Sequence, residues 1–455
     1  MTPRRPPLVA AVALLAAVLV APGCGRQEPA GPLNLVIILV DTLRADHLGY
    51  HGYARDTSPT IDALAARSQV FLQHQSTSSR TGPATASIFT GLFPRSHGVL
   101  NPLTRFDAKG TLAADQTTLA EVLSERGYAC YGYTANINAS DRFGFGQGFT
   151  EHLYVESSKA SELRRHALKV LAAPHEGPFY LYLHYMEPHS SYSAPAEYRD
   201  LWVDPRYDGR IDGRHQQLNQ IVEGSFPLSE RGAQHLRDLY DQEIRYTDDE
   251  IALILDALAE QGLAGTTLVV FIADHGEEFL DHGSVLHGYT LYQEQLHVPF
   301  FVHDPRRPQP RRLEAVTRHV DVLPTLLELL DIDAELAVQG ASLVPLMDGE
   351  TDGRGEVPVL AEASLMAVKT VRQRSLALGE WKLVEHLIPA GPPELYNLAA
   401  DPAEQHDLLD REPREAQRLR VRLEELLLSL PVAEGAVTTL SEDEVRKLRS
   451  LGYVK

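Results

Sequence analysis

Long hydrophobic runs alternate along the chain with segments in which apolar residues recur every three or four positions. Residues 34–40, 179–184 and 267–273 are nearly continuous runs of Val, Ile, Leu, Phe and Tyr. Such runs are typical of strands buried on both faces of a parallel sheet. Residues 158–171 and 229–261 have the spacing of amphipathic helices. The alternation predicts an α/β fold with a large mixed, mostly parallel sheet flanked by helices.

The pattern changes after about residue 350. Short strand-like runs at residues 375–378 and 381–385 precede a helical segment at residues 413–430. We therefore predict a main domain at residues 33–350 and a small C-terminal α+β subdomain at residues 351–455.

The amino terminus has the proportions of a bacterial signal peptide. Arg4 and Arg5 precede an apolar run at residues 8–21 that is too short to span a bilayer. Shortly after the run, Cys24 follows a small residue, as in the lipobox of bacterial lipoproteins, although Ala21 stands where leucine is usual. A secreted protein that is cleaved elsewhere is the alternative.

If the lipobox is used, residues 1–23 are a signal peptide and residues 24–32 form a lipidated tether. Acyl chains on Cys24 would then hold an exported protein at the cell envelope, on the periplasmic or outer-membrane face. Cys130 is the other cysteine and lies in a strand-like run, so we predict a core position for it.

The net charge of the chain limits the kinds of molecule that it can bind. Lys and Arg number 42 against 62 Asp and Glu, which gives a formal net charge of −20. A chain this acidic lacks the basic face that binding to nucleic acid requires. An anionic substrate would therefore need local cations, and we expect a metal ion among them.

Three of the predicted strands run directly into polar residues. Asp41 follows the first, residues 184–189 follow the second, and Asp274 and His275 follow the third. The carboxyl ends of parallel strands form the usual ligand edge of an α/β sheet. Carboxylate oxygens next to an imidazole nitrogen make this edge a candidate site for a divalent metal ion.

Several segments are spaced along most of the chain in a characteristic order. They are VDTLRADHLG at residues 40–49, SPTIDALA at 58–65, TGPATASIFTGLFP at 81–94, YDQEIRYTDD at 240–249, DHGEE at 274–278, HVDVLPTL at 319–326 and ELYNL at 394–398. Together they resemble the sulfatase family, which belongs to the alkaline phosphatase superfamily. The resemblance implies an alkaline phosphatase-like fold and a hydrolase that acts on a sulfuric or phosphoric ester.

The resemblance also implies a role for individual residues. One divalent ion, which could be Zn, Mn, Mg or Ca, is expected on Asp41, Thr81, Asp274 and His275. The catalytic residues are expected to be Thr81, His189 and His287. Substrate contacts are expected from Arg80, Tyr133 and Asn136. We expect His184 to have a structural or supporting role.

The nucleophile position departs from the family pattern. Sulfatases carry Cys or Ser there, which is oxidised to formylglycine, whereas Thr81 is not a substrate for that oxidation. The family's arginine and second aspartate are replaced by Thr85 and Thr42, although Arg80 stands just before the nucleophile. We therefore expect no formylglycine, and an ester intermediate on threonine that water or another acceptor resolves by direct attack. This chemistry favours phosphorus over sulfur.

These observations predict a metal-dependent hydrolase that cleaves a sulfate, phosphate or phosphonate ester. The substrate would be an anionic ester such as a sulfated or phosphorylated glycan or lipid. Two alternatives stay open: a transferase of phospho-headgroups in the cell envelope, and an inactive lipoprotein that binds anionic glycans. Residues 204–226 are polar, glycine-containing and aperiodic, and predict an insertion or lid loop that influences leaving-group specificity.

Overall fold

The computed structural model describes residues 31–100, 108–157, 159–350 and 356–450. The predicted signal peptide and Cys24 lie outside the described residues.

Strands and helices alternate through the first two thirds of the chain. The strands are β1 Asn34–Val40, β2 Gln69–Gln75, β3 Ala108–Thr111, β4 Ala129–Thr134, β5 Glu151–Tyr154, β6 Phe179–Tyr185, β7 Thr267–Ala273, β8 Glu278–Phe279, β9 Val285–Leu286, β10 Phe300–His303, β11 Arg311–Arg318, β12 Val359–Met366, β13 Thr370–Leu378, β14 Trp381–Ile388, β15 Glu394–Asn397 and β16 Ala436–Thr439. The α-helices are α1 Pro59–Ala65, α2 Thr81–Thr90, α3 Pro94–His97, α4 Leu119–Glu125, α5 Ala160–Leu171, α6 His215–Glu223, α7 Glu230–Glu260, α8 Gln293–Leu296, α9 Val322–Leu329, α10 Val344–Asp348, α11 Pro413–Ser429 and α12 Glu442–Ser450.

Eight strands form the main sheet in the order β11-β2-β10-β7-β1-β6-β4-β5. Neighbouring strands are parallel except where β10 runs antiparallel to β7 and β2. The predicted mixed, mostly parallel sheet is confirmed. The central strand β1 is buried along its whole length, which explains why its sequence is apolar without alternation.

Helices cover both faces of this sheet. Val36 and Ile38 of β1 belong to one core cluster with residues of α5 and α7. Leu35 and Ile37, which point to the opposite face, belong to a second cluster with residues of α2, α4 and α9. Because side chains alternate along a strand, one apolar run supplies both cores.

A separate antiparallel sheet follows the main domain, in the order β12-β13-β14-β15. Helix α11 packs on one of its faces, with Leu419 and Leu423 against Leu360 and Leu376. The predicted C-terminal subdomain is thus present. The chain then returns to the main domain, because β16 pairs with β3.

The segment predicted as an aperiodic lid loop contains helix α6. Leu218 and Val222, four residues apart, are buried in the core beside α7 and explain its formation. Only two apolar anchors are needed for so short a helix, so the sequence pattern was too weak to predict it.

His282 connects the hairpin formed by β8 and β9 to the C-terminal part of the chain. Its Nδ1 lies 2.8 Å from Glu294 Oε1, and its Nε2 lies 3.0 Å from the carbonyl oxygen of Glu404. Burial opposes the charged ring, but these two acceptors outweigh it and raise the pKa of His282 to about 9. The charged ring therefore stabilises the fold at low pH, and this contribution is lost as the pH rises from 6.5 through 9.

We expect the free energy of unfolding to fall less between pH 6.5 and pH 9 in His282→Gln than in the unmodified protein. The difference should be of the order of 1 to 2 kcal/mol. Urea unfolding at several pH values measures it. His406→Gln, at a side chain that is 80% exposed, is the matched control. Identical pH profiles for His282→Gln and the unmodified protein would contradict the prediction.

Candidate active site

The candidate site lies where β1, β6 and β7 end side by side. Val40, the last residue of β1, pairs with Tyr185 of β6 and with Ala273 of β7. Asp41 and Asp274 are the next residues of their strands and are both fully buried. The sheet register therefore forces two carboxylates together at the edge where α/β proteins bind ligands.

Asp41 is held by donors from three directions. Its Oδ2 lies 3.2 Å from Nε2 of His184 and 3.5 Å from Oγ1 of Thr81. The side-chain amide of Asn136 also donates to this oxygen. The hydroxyl of Tyr182, 2.9 Å from Nδ1 of His184, fixes the orientation of that ring.

Asp274 is held by backbone amides. Its Oδ1 accepts hydrogen bonds from the amide of Thr42 at 3.2 Å and from the amide of His275 at 2.8 Å. Thr42 reaches this position with a φ of 56°, in the left-handed region. His275 contributes Nε2, which lies 3.8 Å from Oδ1 of Asp41 and 3.5 Å from Oδ2 of Asp274.

The two carboxylates differ in their pKa values. Burial raises the pKa of Asp274 to about 6, and the charge of Asp41 adds to this effect. Burial would also raise the pKa of Asp41, but the hydrogen bond from His184 and the charge of His189 lower it to about 2. A positive charge between the two carboxylates would relieve their repulsion.

The donor set fits a divalent cation. Among the described residues, Oδ1 of Asp41 and Oδ2 of Asp274 are buried without a hydrogen-bond partner. Ligand atoms of Asp41, His184 and Asp274 all lie within 4.8 Å of one another. Buried carboxylate oxygens that lack a donor are what a bound cation would satisfy.

His184 is the residue in this group that the sequence analysis did not assign as a ligand. It was expected to be structural because a single histidine in a strand usually is. The available signal was its register, since His184 pairs with Leu39 one position before the end of β1. Thr81 and His275, which were predicted ligands, also lie in the cluster, with Oγ1 of Thr81 3.4 Å from Nε2 of His275.

Thr81 is the first residue of α2 and is 2% exposed. Its hydroxyl oxygen also accepts a hydrogen bond from the side-chain amide of Asn136 at 3.2 Å. The amino end of a helix carries a partial positive charge, which stabilises negative charge on a residue placed there. Arg80 precedes the helix, and its side chain lies close to Gly288.

The predicted catalytic histidines lie together next to His275. The ring of His287 is 4.5 Å from the ring of His275 and 4.8 Å from the ring of His189. Glu277 holds His287, with Oε1 at 3.1 Å from Nδ1, and accepts a hydrogen bond from Tyr192 at 3.2 Å. Sequence analysis assigned Glu277 no catalytic role, because its distance from His287 depends on the fold of the intervening hairpin.

Tyr133 is the predicted substrate contact that the structure does not bring to the site. Its hydroxyl donates to Glu151 at 2.9 Å, and its ring stacks on His166 of α5 at 4.8 Å. Residue 133 lies within β4, on the face that packs against α5. Asn136 lies beyond the end of the same strand and therefore reaches Asp41.

Comparison with known proteins places the chain in a family. The sulfatase family profile matches residues 33–332, and the profile of the C-terminal region of N-sulphoglucosamine sulphohydrolase matches residues 283–432. The uncharacterized sulfatase YidJ of Escherichia coli strain K12 is 23% identical over 432 residues, with 83% of each chain covered.

Two solved structures share the fold. BT1596, a 2-O GAG sulfatase, superposes with a TM-score of 0.72 at 21% identity, covering 88% of this chain and 95% of its own. The phosphonate monoester hydrolase of Agrobacterium radiobacter superposes with a TM-score of 0.70 at 20% identity, covering 90% and 99%. The alkaline phosphatase-like architecture predicted from the motifs is confirmed, and because the first profile spans more than half of the sequence, the chain belongs to the sulfatase family.

Proposed function

We propose that the protein is a metal-dependent hydrolase that cleaves a sulfate, phosphate or phosphonate ester with Thr81 as the nucleophile. One observation carries the proposal: the Thr81 hydroxyl lies at a helix amino terminus within 3.5 Å of both Asp41 and His275.

The residues around Thr81 supply positioning and charge. When bound by Asp41, Asp274, His275 or His184, a divalent ion would lower the pKa of the hydroxyl and neutralise charge on the ester. Thr81 donates to Asp41 and accepts from Asn136, which fixes the direction of its lone pairs. We propose that Arg80, whose side chain lies close to Gly288, contacts the anionic group of the ester.

His189 and His287 are the groups proposed to act on the leaving-group oxygen. The Nδ1 atom of His287 contacts Glu277, so its Nε2 is the ring nitrogen left for a proton at a substrate oxygen. Nδ1 of His189 lies 2.7 Å from the carbonyl oxygen of Ser190, which orients that ring as well. Two oriented imidazoles beside the nucleophile are suited to proton transfer during ester cleavage.

The threonine favours phosphorus chemistry. A formylglycine hydrate can release its ester by elimination through a second hydroxyl on the same carbon, and Thr81 has a single hydroxyl. An ester on Thr81 must instead be hydrolysed by attack of water at phosphorus or sulfur. The sulfatase BT1596 and the phosphonate monoester hydrolase share this fold, so both ester classes belong in the test.

We expect Thr81→Ala to lower ester turnover at least about a thousandfold, because the nucleophile is lost. Initial rates with p-nitrophenyl phosphate, a p-nitrophenyl phosphonate monoester and p-nitrophenyl sulfate measure this and rank the substrates. Thr90→Ala, in the same helix, is the control. Turnover that survives in Thr81→Ala would contradict the assignment of Thr81 as the nucleophile. A lack of turnover by the unmodified protein would favour the glycan-binding alternative.

Metal binding is testable without turnover. At about a hundredfold excess over the dissociation constant, the bound ion should stabilise the fold by about 2.7 kcal/mol. We expect this gain to shrink in Asp274→Asn and in His184→Gln, because each variant removes a ligand group. Thermal unfolding after dialysis against a chelator, with Zn, Mn, Mg or Ca added back, measures it. Asp256→Asn, on the exposed side of α7, is the control. Equal stabilisation by the metal ion in all variants would contradict the proposed metal site.

The location of the protein is a separate proposal. We propose that acyl chains on Cys24 anchor it to the envelope, which the small residue before Cys24 supports. Within the part of the chain that the structure describes, we find no helix with the length and apolarity needed to cross a bilayer.

Cys24→Ala should therefore move the protein from the membrane fraction to the soluble fraction, since lipid chains supply the membrane affinity. Cell fractionation with immunoblotting measures the shift, with Cys130→Ala as the control. An unchanged membrane fraction would exclude lipidation at Cys24.

A further inference from the structure

His215 is a buried imidazole beside the site that has no part in the proposed chemistry. It is the first residue of α6, in the segment 204–226 that sequence analysis linked to the leaving group. Its side chain is almost fully buried, with 7% of the residue exposed. Burial, with the nearby charge of His189, lowers the pKa of His215 to about 3, so its ring is neutral near pH 7.

Two hydrogen bonds hold His215, one through its backbone and one through its ring. The backbone amide of His215 donates to the hydroxyl of Ser191 at 2.8 Å. Its Nδ1 lies 2.8 Å from the hydroxyl oxygen of Ser190. Both serines directly follow His189, so the lid segment is tied to the same loop that carries a proposed catalytic histidine.

The remaining ring nitrogen, Nε2, is buried and has no hydrogen-bond partner among the described residues. A buried polar atom of this kind costs free energy unless a ligand or water satisfies it. His215 lies within electrostatic reach of both His189 and His287. The ring is also joined through Ser190 to the loop that carries His189, so His215 lies beside the groups proposed to act on the leaving-group oxygen.

The chemistry of a neutral imidazole indicates what Nε2 would bind. If Nδ1 donates to Ser190, Nε2 is an acceptor, and if Nδ1 accepts, Nε2 is a donor. An alcohol hydroxyl satisfies Nε2 in either tautomer, because it both donates and accepts. An aryl ring satisfies neither.

We propose that His215 is a specificity-determining residue whose Nε2 hydrogen-bonds a hydroxyl group on the alcohol part of the ester, so that the site prefers sugar esters to aryl esters. The inference rests on the proposed function, because it places the alcohol part of an ester beside His189 and His287. It extends that proposal by naming a polyhydroxylated leaving group.

Equilibrium binding tests the inference without turnover. Thr81→Ala protein, loaded with the metal that stabilises the unmodified protein most, is titrated by calorimetry with glucose 6-phosphate and phenyl phosphate, and with glucose 6-sulfate and phenyl sulfate. The readout is the ratio of the dissociation constants of the phenyl and glucose esters. We expect this ratio to favour glucose and to fall about three- to tenfold when His215→Asn is added, which is the effect of one hydrogen bond.

Two further variants separate recognition from folding. Asn keeps a polar atom near the position of Nδ1, whereas His215→Gln places one near Nε2, so Gln should retain more of the preference. His406→Asn controls for a general effect of histidine replacement. A glucose preference that survives in His215→Asn, or no preference at the outset, would overturn the inference.

Turnover by the protein that retains Thr81, measured beside these titrations, distinguishes this inference from the proposed function. A preference that depends on His215, without turnover by the protein that retains Thr81, would overturn the hydrolase and leave the recognition role. Turnover without such a preference would overturn the recognition role of His215 and leave the hydrolase.

Discussion

Two carboxylates buried side by side are the constraint on which the rest of the site depends. Asp41 and Asp274 follow neighbouring strands whose last residues, Val40 and Ala273, are in register. Their separation is therefore set by the sheet itself, and neither side chain reaches solvent. Like charges in so dry a place are tolerated only when donors or a cation surround them.

The surrounding elements meet this requirement from every side. β6 contributes His184, the loop after β4 contributes Asn136, and α2 presents its amino end together with Thr81. Backbone amides satisfy one oxygen of Asp274. The oxygens left without a donor are those suited to a cation, so the packing of the acids and the proposed metal site follow from one arrangement.

The residue proposed to recognise the alcohol lies outside this rigid centre, in the long connection between β6 and α7. It contains His189 at its start and His215 at the beginning of α6, joined through Ser190 and Ser191. A segment of this kind can vary without disturbing the sheet that holds the acids. In the proposed mechanism the groups that hold the metal lie at strand ends, and the alcohol part of the ester would face residues that the connection supplies.

Apolar patterning and motif order were enough to predict the central strands of the sheet, the family and the residues proposed for the chemistry. An apolar run such as residues 34–40 requires a strand that is buried on both faces. The motifs whose order indicates the family contain Asp41, Thr81, Asp274 and His275. Tyr133 shows the limit of such motifs, because strand alternation turned it toward α5 although Asn136, three residues later, reached the site.

The remaining contacts arise from the packing of elements that lie far apart in the chain. His184 lies beside Asp41 because β6 neighbours β1. Glu277 contacts His287 through the β8–β9 hairpin. His215 contacts Ser190, next to His189, across a long connection. These pairs are brought together by chain folding between residues with no local pattern in common. Hydrophobic periodicity specifies which face of an element is buried, but the partner of a polar side chain depends on how distant elements pack.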